Sequence, residues 1–198
     1  QRQATLINIF NEQRKDLDKS MTEQANSIVS RIDHQHEKRS IVIYNEEWHK
    51  GLIGIVASRV TEMYHLPTIV LTRDGDYAVG SARSVIGFDV YSAVKSCRDL
   101  FINFGGHTYA AGVTLKWEDL PEFERRFQKY VDEHIDKAKM EPTLVIDGEL
   151  SFRDISKKLH NDLRKFAPFG PQNPKPIFCT HNVMDYGASR VIGRNQEH

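Results

Sequence analysis

Between residues 41 and 135 the hydrophobic period switches repeatedly between strand and helix, and this alternation restricts the fold more than any other feature. Ile41-Val42-Ile43-Tyr44 is a short β-branched run of the kind carried by a strand buried on both faces. A polar loop fills 45–51, and 52–64 set Leu52, Ile53, Ile55, Val56, Arg59, Val60 and Met63 on one helical face. Pro67 stops that helix, and 68–72 reads as a second buried strand. Asp74-Gly75 signals a turn and 77–82 a third strand. Asp89 is placed to cap a helix running to about residue 100; Gly105-Gly106 breaks the chain, and 110–115 is a further strand. An amphipathic helix over 119–138 turns Leu120, Phe123, Phe127, Tyr130, Val131 and Ile135 inward, with Pro121 in its first turn. Strands interleaved with helices predict an α/β domain, a central sheet flanked by helices.

The flanking regions differ. Over 1–36, Leu6, Ile9, Phe10, Leu17, Met21, Ala25, Ile28, Val29 and Ile32 recur at helical spacing, predicting one long helix. Such a helix either connects two domains or packs as an ordinary core helix. From Pro142 the character changes: a strand over 144–150, a basic helix over 154–166, the loop-forming A-P-F-G-P-Q-N-P-K-P, then two short β runs within 177–192. This reads as an incomplete β domain, giving expected segments 1–38, 39–141 and 142–198. A start without Met and an end on R-N-Q-E-H suggest a piece of a longer protein.

Composition narrows the function classes. No apolar run approaches the ~20 residues of a membrane helix. Cys97 and Cys179 lie far apart in no metal-type spacing, against a zinc finger or a disulfide framework and in keeping with a reducing cytoplasm. With 27 basic and 27 acidic residues the chain is no general polyanion glue, so anion binding would have to be local. The nine histidines offer no metal spacing; His34 and His36 stand two apart, wrong for one helical face. There is no aspartate cluster of two-metal type and no G-x-S-x-G.

Four stretches could carry chemistry. In Phe104-Gly105-Gly106-His107-Thr108-Tyr109-Ala110-Ala111-Gly112, paired glycines let a backbone approach a ligand, amides can cradle phosphate oxygens, and His107 adds a donor. A plain Gly-Gly turn with a surface histidine accounts better for the tripeptide alone; the longer motif is more specific. In Val79-Gly80-Ser81-Ala82-Arg83-Ser84, Ser81 and Arg83 share a face by strand alternation, and a guanidinium fork suits phosphate, with Ser84 beside it. The alternative is a surface arginine at a strand end. Trp48 and His49 lie in a strand-to-helix loop, where open α/β sheets place ligands. Trp48 either stacks a base or closes the core as a lid, and Glu46-Glu47 either repel phosphate or pair with nearby Arg or Lys. Finally, 151–176 holds six basic residues (Arg153, Lys157, Lys158, Arg164, Lys165, Lys175) against two acidic ones, interleaved with Phe166 and Phe169. That composition suits a single-strand track or a solvated linker helix.

Taken in order, W-H-K-G-L-I-G-I-V-A-S-R, G-S-A-R-S, G-F-D-V and F-G-G-H-T-Y-A-A-G resemble the DHH-associated domain of the RecJ family of bacterial single-stranded-DNA-specific exonucleases. F-A-P-F-G-P-Q-N-P-K-P-I-F resembles that family's join to its OB-fold domain. The resemblance implies a mixed central sheet, a connector helix ahead of it and a partial OB-fold-like segment behind. It implies Ser81 and Arg83, with Ser84, as the grip on a terminal 5′ phosphate. Gly105, Gly106 and His107 would be backbone and scissile-phosphate contacts, and Trp48 and His49 further substrate contacts. It also implies that the Asp-His-His metal centre, with Mn²⁺ or Mg²⁺, lies in a catalytic domain ahead of this chain, leaving the fragment without metal ligands and inactive alone. The implied activity is 5′-to-3′ release of mononucleotides in DNA repair and recombination. The implied setting is the bacterial cytoplasm, with no membrane and with single-strand-binding protein and a helicase as partners. One departure stands at Ala82, where the family often has Gly, which would alter backbone approach. Alternatives are a DHH-family phosphoesterase for short oligonucleotides or cyclic dinucleotides, and a non-catalytic nucleic-acid-binding module like that ending alanyl-tRNA synthetases.

Overall fold

The computed structural model describes residues 2–31, 39–136, 143–170 and 172–187 and divides the chain into two units, Gln1–Pro142 and Thr143–His198. In the first unit, α1 (Arg2–Arg31) precedes β1 (Ile41–Tyr44), α2 (Ile53–Tyr64), β2 (Thr68–Asp74) and β3 (Tyr77–Arg83). Then come α3 (Val90–Lys95), β4 (Phe101–His107), β5 (Ala110–Lys116) and α4 (Leu120–His134). The strands form a five-stranded mixed sheet in the order β1-β2-β3-β5-β4. Only β1 and β2 run parallel, joined through α2; the other neighbours are antiparallel. The α/β class expected from the alternation is the one observed.

The local reasons are legible. Asp89 caps α3 by accepting from the amides of Tyr91 and Ser92, a contact that stabilises a helix start by about 1 kcal/mol. Pro121 lies at the start of α4, where no amide is missed. β1 and β2 are buried on both faces, as their continuous apolar runs require.

Two apolar layers enclose the sheet. On one face Ile69, Leu71, Ala78, Ala82, Ala111, Val113 and Leu115 pack against Val90, Val94, Phe123, Phe127 and Val131 of α3 and α4. On the other, Ile41, Ile43 and Val70 pack against Ile53, Val56, Ala57 and Val60 of α2, which Met21, Ala25 and Val29 of α1 cover in turn. The helix expected over 1–36 is thus α1; residues 32–36 lie outside the described residues. Its second half is a core helix, whereas Leu6, Ile9, Phe10 and Leu17 are exposed.

Three expectations change. The helix after Asp89 ends at Lys95, and a 3-10 turn at Arg98–Leu100 leads into β4. Gly105-Gly106 does not break the chain: it lies inside β4, paired with Gly112 and Ala111 of β5. In the second unit the strand expected over 144–150 shortens to β6 (Gly148–Glu149), parallel to β7 (Phe178–Cys179). The basic helix expected over 154–166 is α5 (Lys157–Arg164), capped by the Ser156 hydroxyl. Its loop is held by Asn173, whose side-chain amide donates to the carbonyls of Phe166 and Pro168. Of the β runs expected within 177–192, residues 188–192 lie outside the described residues.

Candidate nucleic-acid interface

The antiparallel register of β3, β5 and β4 aligns two rows of residues across the sheet. One row holds Ser81, Gly112 and Gly105; the next holds Arg83, Ala110 and His107. Partners in register share a sheet face, here the face of α2, opposite Ala78 and Ala82. With neighbouring strands ~4.8 Å apart, the ends of each row stand roughly 10 Å from each other. α2 covers this face over β2 and β3 but not over β4 and β5. Beyond Val79 the surface opens into a shallow hollow of about 270 Å³, lined by Asn103, Gly105, Gly112 and Thr114. A Cβ added at Gly105 or Gly112 would meet nothing within 4 Å, so these glycines make a flat floor and fill no packing role.

Arg83 borders this floor. Its guanidinium is half-buried and lies on the first turns of α2. Nε donates to the Ser58 hydroxyl at 3.1 Å, and Nη1 donates to the Ser81 hydroxyl and the Ala82 carbonyl, both at 2.8 Å. Burial alone pushes its pKa down, with no acidic neighbour to raise it. Among the described residues no carboxylate pairs with Arg83. α2 starts without a side-chain cap, so the positive end of its dipole faces the same region. A half-buried cation beside a helix N-terminus is electrostatically uncompensated until an anion arrives.

Gly106 has a separate role. Its φ is +155°, and an added Cβ would run into the Ala110 carbonyl and the Ala111 Cα. It allows the tight Thr108-Tyr109 turn that presents His107. The His107 ring is exposed and accepts at Nδ1 from the Tyr109 amide at 3.3 Å. His49, also exposed, accepts at Nδ1 from the Gly51 amide at 3.1 Å in the loop before α2.

The structure does not gather every expected residue here. Trp48 is 5% exposed, and its indole N–H donates to Gln24 of α1 at 2.9 Å. Its ring belongs to the α1–α2 core, so it acts as a lid; with its faces covered it cannot stack a base. Ser84 lies past the end of β3, and its hydroxyl donates to the Phe88 carbonyl at 2.8 Å, closing the 84–88 loop. It stands apart from the Ser81–Arg83 group. Ala82 points its methyl into the opposite core and is fully buried there, so it does not alter approach on the Arg83 face. Glu46 pairs with Arg73 at 2.9 Å. The six basic residues of 151–176 are all exposed, with Lys165 bridging to Asp162 at 2.6 Å. Gly54 and Ser58 of α2, which touch Arg83, are not singled out by sequence reasoning; the available signal is a small and a hydroxylated residue four apart on an otherwise apolar helix face. Among the described residues no three His, Cys, Asp or Glu side chains converge to hold a metal ion, and none of the described helices is long and apolar enough to cross a membrane.

Comparison with known proteins matches this architecture. The DHHA1 domain model covers residues 23–133 and the RecJ OB domain model residues 146–198. The single-stranded-DNA-specific exonuclease RecJ of Bacillus subtilis is 32% identical over 98% of this chain, which spans 25% of that relative. The Escherichia coli protein of the same name is 30% identical over 90% of this chain, which spans 32% of its length. The chain therefore spans about a quarter to a third of the curated relatives it matches. Among solved structures, RecJ of Thermus thermophilus in complex with Mg²⁺ superposes with a TM-score of 0.74 at 25% identity, covering 86% of this chain and 26% of that one. Its Mn²⁺ complex gives 0.73 at 26% identity, with 87% and 25% covered. A mixed five-stranded sheet matched as a DHHA1 domain, followed in order by a RecJ OB domain, means that the chain belongs to the DHHA1 family, in the arrangement of the RecJ exonucleases.

Proposed function

We propose that the β3–β5–β4 face binds the backbone of single-stranded DNA and that Ser81 and Arg83 hold its terminal 5′ phosphate. The region would be the substrate-holding part of a 5′-to-3′ exonuclease that releases mononucleotides in repair and recombination. The observation that carries this reading is the half-buried Arg83 guanidinium, unpaired with any carboxylate among the described residues and lying beside the uncapped start of α2. An arginine fork and a serine hydroxyl match phosphate oxygens in geometry and charge. The glycine floor gives a sugar–phosphate backbone room to lie close to the sheet, and His107 supplies a donor at its far side.

These residues bind and orient the strand, and bond cleavage belongs to groups outside the described residues. A fixed end-phosphate pocket sets the distance from the strand's end to the cut, which would account for end specificity. The RecJ OB domain match supports this reading over that of a short-oligonucleotide or cyclic-dinucleotide phosphoesterase. In a bacterial cytoplasm the strand would come from a helicase and be shared with single-strand-binding protein.

The test is Arg83→Ala in the full-length enzyme, assayed on one oligonucleotide with and without a 5′ phosphate at two salt concentrations. The expected result is a selective loss on phosphorylated ends. Equal loss on both ends would overturn the assignment.

A further inference from the structure

Gly54 and Ser58 stand four apart on α2, one turn above the other on the face turned to β3. Both touch Arg83. The Ser58 hydroxyl accepts from Arg83 Nε at 3.1 Å and donates its own hydrogen to the Gly54 carbonyl at 3.1 Å. That hydrogen is used within the helix, so Ser58 has none left for a phosphate. Ser81 differs: its hydroxyl accepts from Nη1 at 2.8 Å, and its own hydrogen has no acceptor among the described residues.

The guanidinium has five N–H groups. Nε spends its one on Ser58, and Nη1 is engaged by Ser81 and Ala82. The Nη2 pair has no acceptor among the described residues. Nη2 lies where Gly54 lacks a side chain: an added Cβ would stand 2.9 Å from Nη2 and 3.2 Å from the Ser81 Oγ. Any residue larger than glycine would push the free edge of the guanidinium away from Ser81.

We infer that Ser58 and Gly54 are positioning residues for end-phosphate recognition. Ser58 fixes the plane of the Arg83 guanidinium through Nε, and Gly54 keeps clear the space in which Nη2 and the Ser81 hydroxyl present their free hydrogens to one phosphate. The inference rests on the end-phosphate reading above. It adds that the α2 face, rather than β3 alone, decides how well a phosphorylated end is told from a hydroxyl end.

The experiment measures, in the full-length enzyme, the ratio of kcat/KM for one oligonucleotide bearing a 5′ phosphate to that for the same strand bearing a 5′ hydroxyl. Wild type, Arg83→Ala, Ser58→Ala, Ser58→Thr and Gly54→Ala are compared, each with its melting temperature. Loss of a hydrogen bond to a charged group predicts a roughly tenfold lower ratio for Ser58→Ala. Ser58→Thr restores it, and Gly54→Ala lowers it at least as far. Ser58→Ala keeps the helix propensity high, so it remains informative where Gly54→Ala folds poorly. A ratio that collapses in Arg83→Ala but is unchanged in Ser58→Ala overturns the positioning role alone. A wild-type ratio near one, or no change in Arg83→Ala, overturns the end-phosphate reading and this inference with it. A lower ratio that Ser58→Thr fails to restore also overturns the positioning role, because the hydroxyl would not be what matters.

Discussion

On the α3–α4 face of the sheet, every inward residue of β3 and β5 is an apolar side chain or Gly80, and Phe123 and Phe127 seal it without an exposed atom of consequence. The same two strands, one residue out of phase, present Ser81, Arg83, Gly112 and Thr114 to the other side, where α2 stops short of β5. One face is buried along its length. The other is half filled and then left as a bare glycine floor beside a cation. Antiparallel strands tolerate one solvated face, and β5 and β4 use that freedom. Under the proposed function, the uncovered half is the surface that would receive the strand.

Five substitutions test that contrast, beginning with the largest effect. Phe123→Ala on the filled face should cost about 3–5 kcal/mol in urea unfolding, while Thr114→Ala on the open face should stay within about 0.5 kcal/mol; similar losses would erase the distinction between the faces. Gly106→Ala should destabilise by at least about 2 kcal/mol, because the backbone there rejects a side chain. Gly112→Ala should hold or slightly raise stability yet weaken single-stranded DNA binding by the full-length protein, measured by anisotropy. Trp48→Phe should cost about 1 kcal/mol through the lost bond to Gln24; unchanged stability with weaker DNA binding would instead restore Trp48 to the ligand surface.

The smallest effect concerns the rim of the filled face. Hydrogen bonds from Arg125, then Arg126, hold the Glu122 carboxyl down at about 2 against an ordinary value of 4.5. A carboxyl depressed on folding contributes stability that is whole above pH 4.5 and is lost as pH falls towards 2. Glu122→Gln should flatten the melting temperature across that window, and an unchanged slope would show the ion pair to be silent.

Much of the filled face is legible from sequence, because its signals are local. Continuous β-branched runs mark β1 and β2, Asp89 announces its cap, and the period of 3.6 through Phe123, Phe127 and Val131 fixes the buried side of α4. Strand alternation also joins Ser81 to Arg83. The misreadings fall where tertiary contacts override local preference. Gly105-Gly106 has the composition of a break and becomes a strand only because β5 supplies its hydrogen bonds. Ser84 looks like part of the Ser81–Arg83 group, but β3 ends at Arg83 and the chain turns away. Trp48 is polar at one edge and apolar over its faces, and only the arrival of α1 decides between a lid and a stacking platform.

His49 and His107 share one local device with a consequence for tautomer choice. Each ring accepts at Nδ1 from the amide two residues ahead. A nitrogen that accepts cannot carry the hydrogen, so the neutral imidazole must hold it on Nε2. Two backbone amides thereby make each histidine a donor in its uncharged form. An asparagine at 107 would imitate the accepting nitrogen and keep the turn while losing the donor. A glutamine would reach the donor's position and leave the Tyr109 amide without its partner.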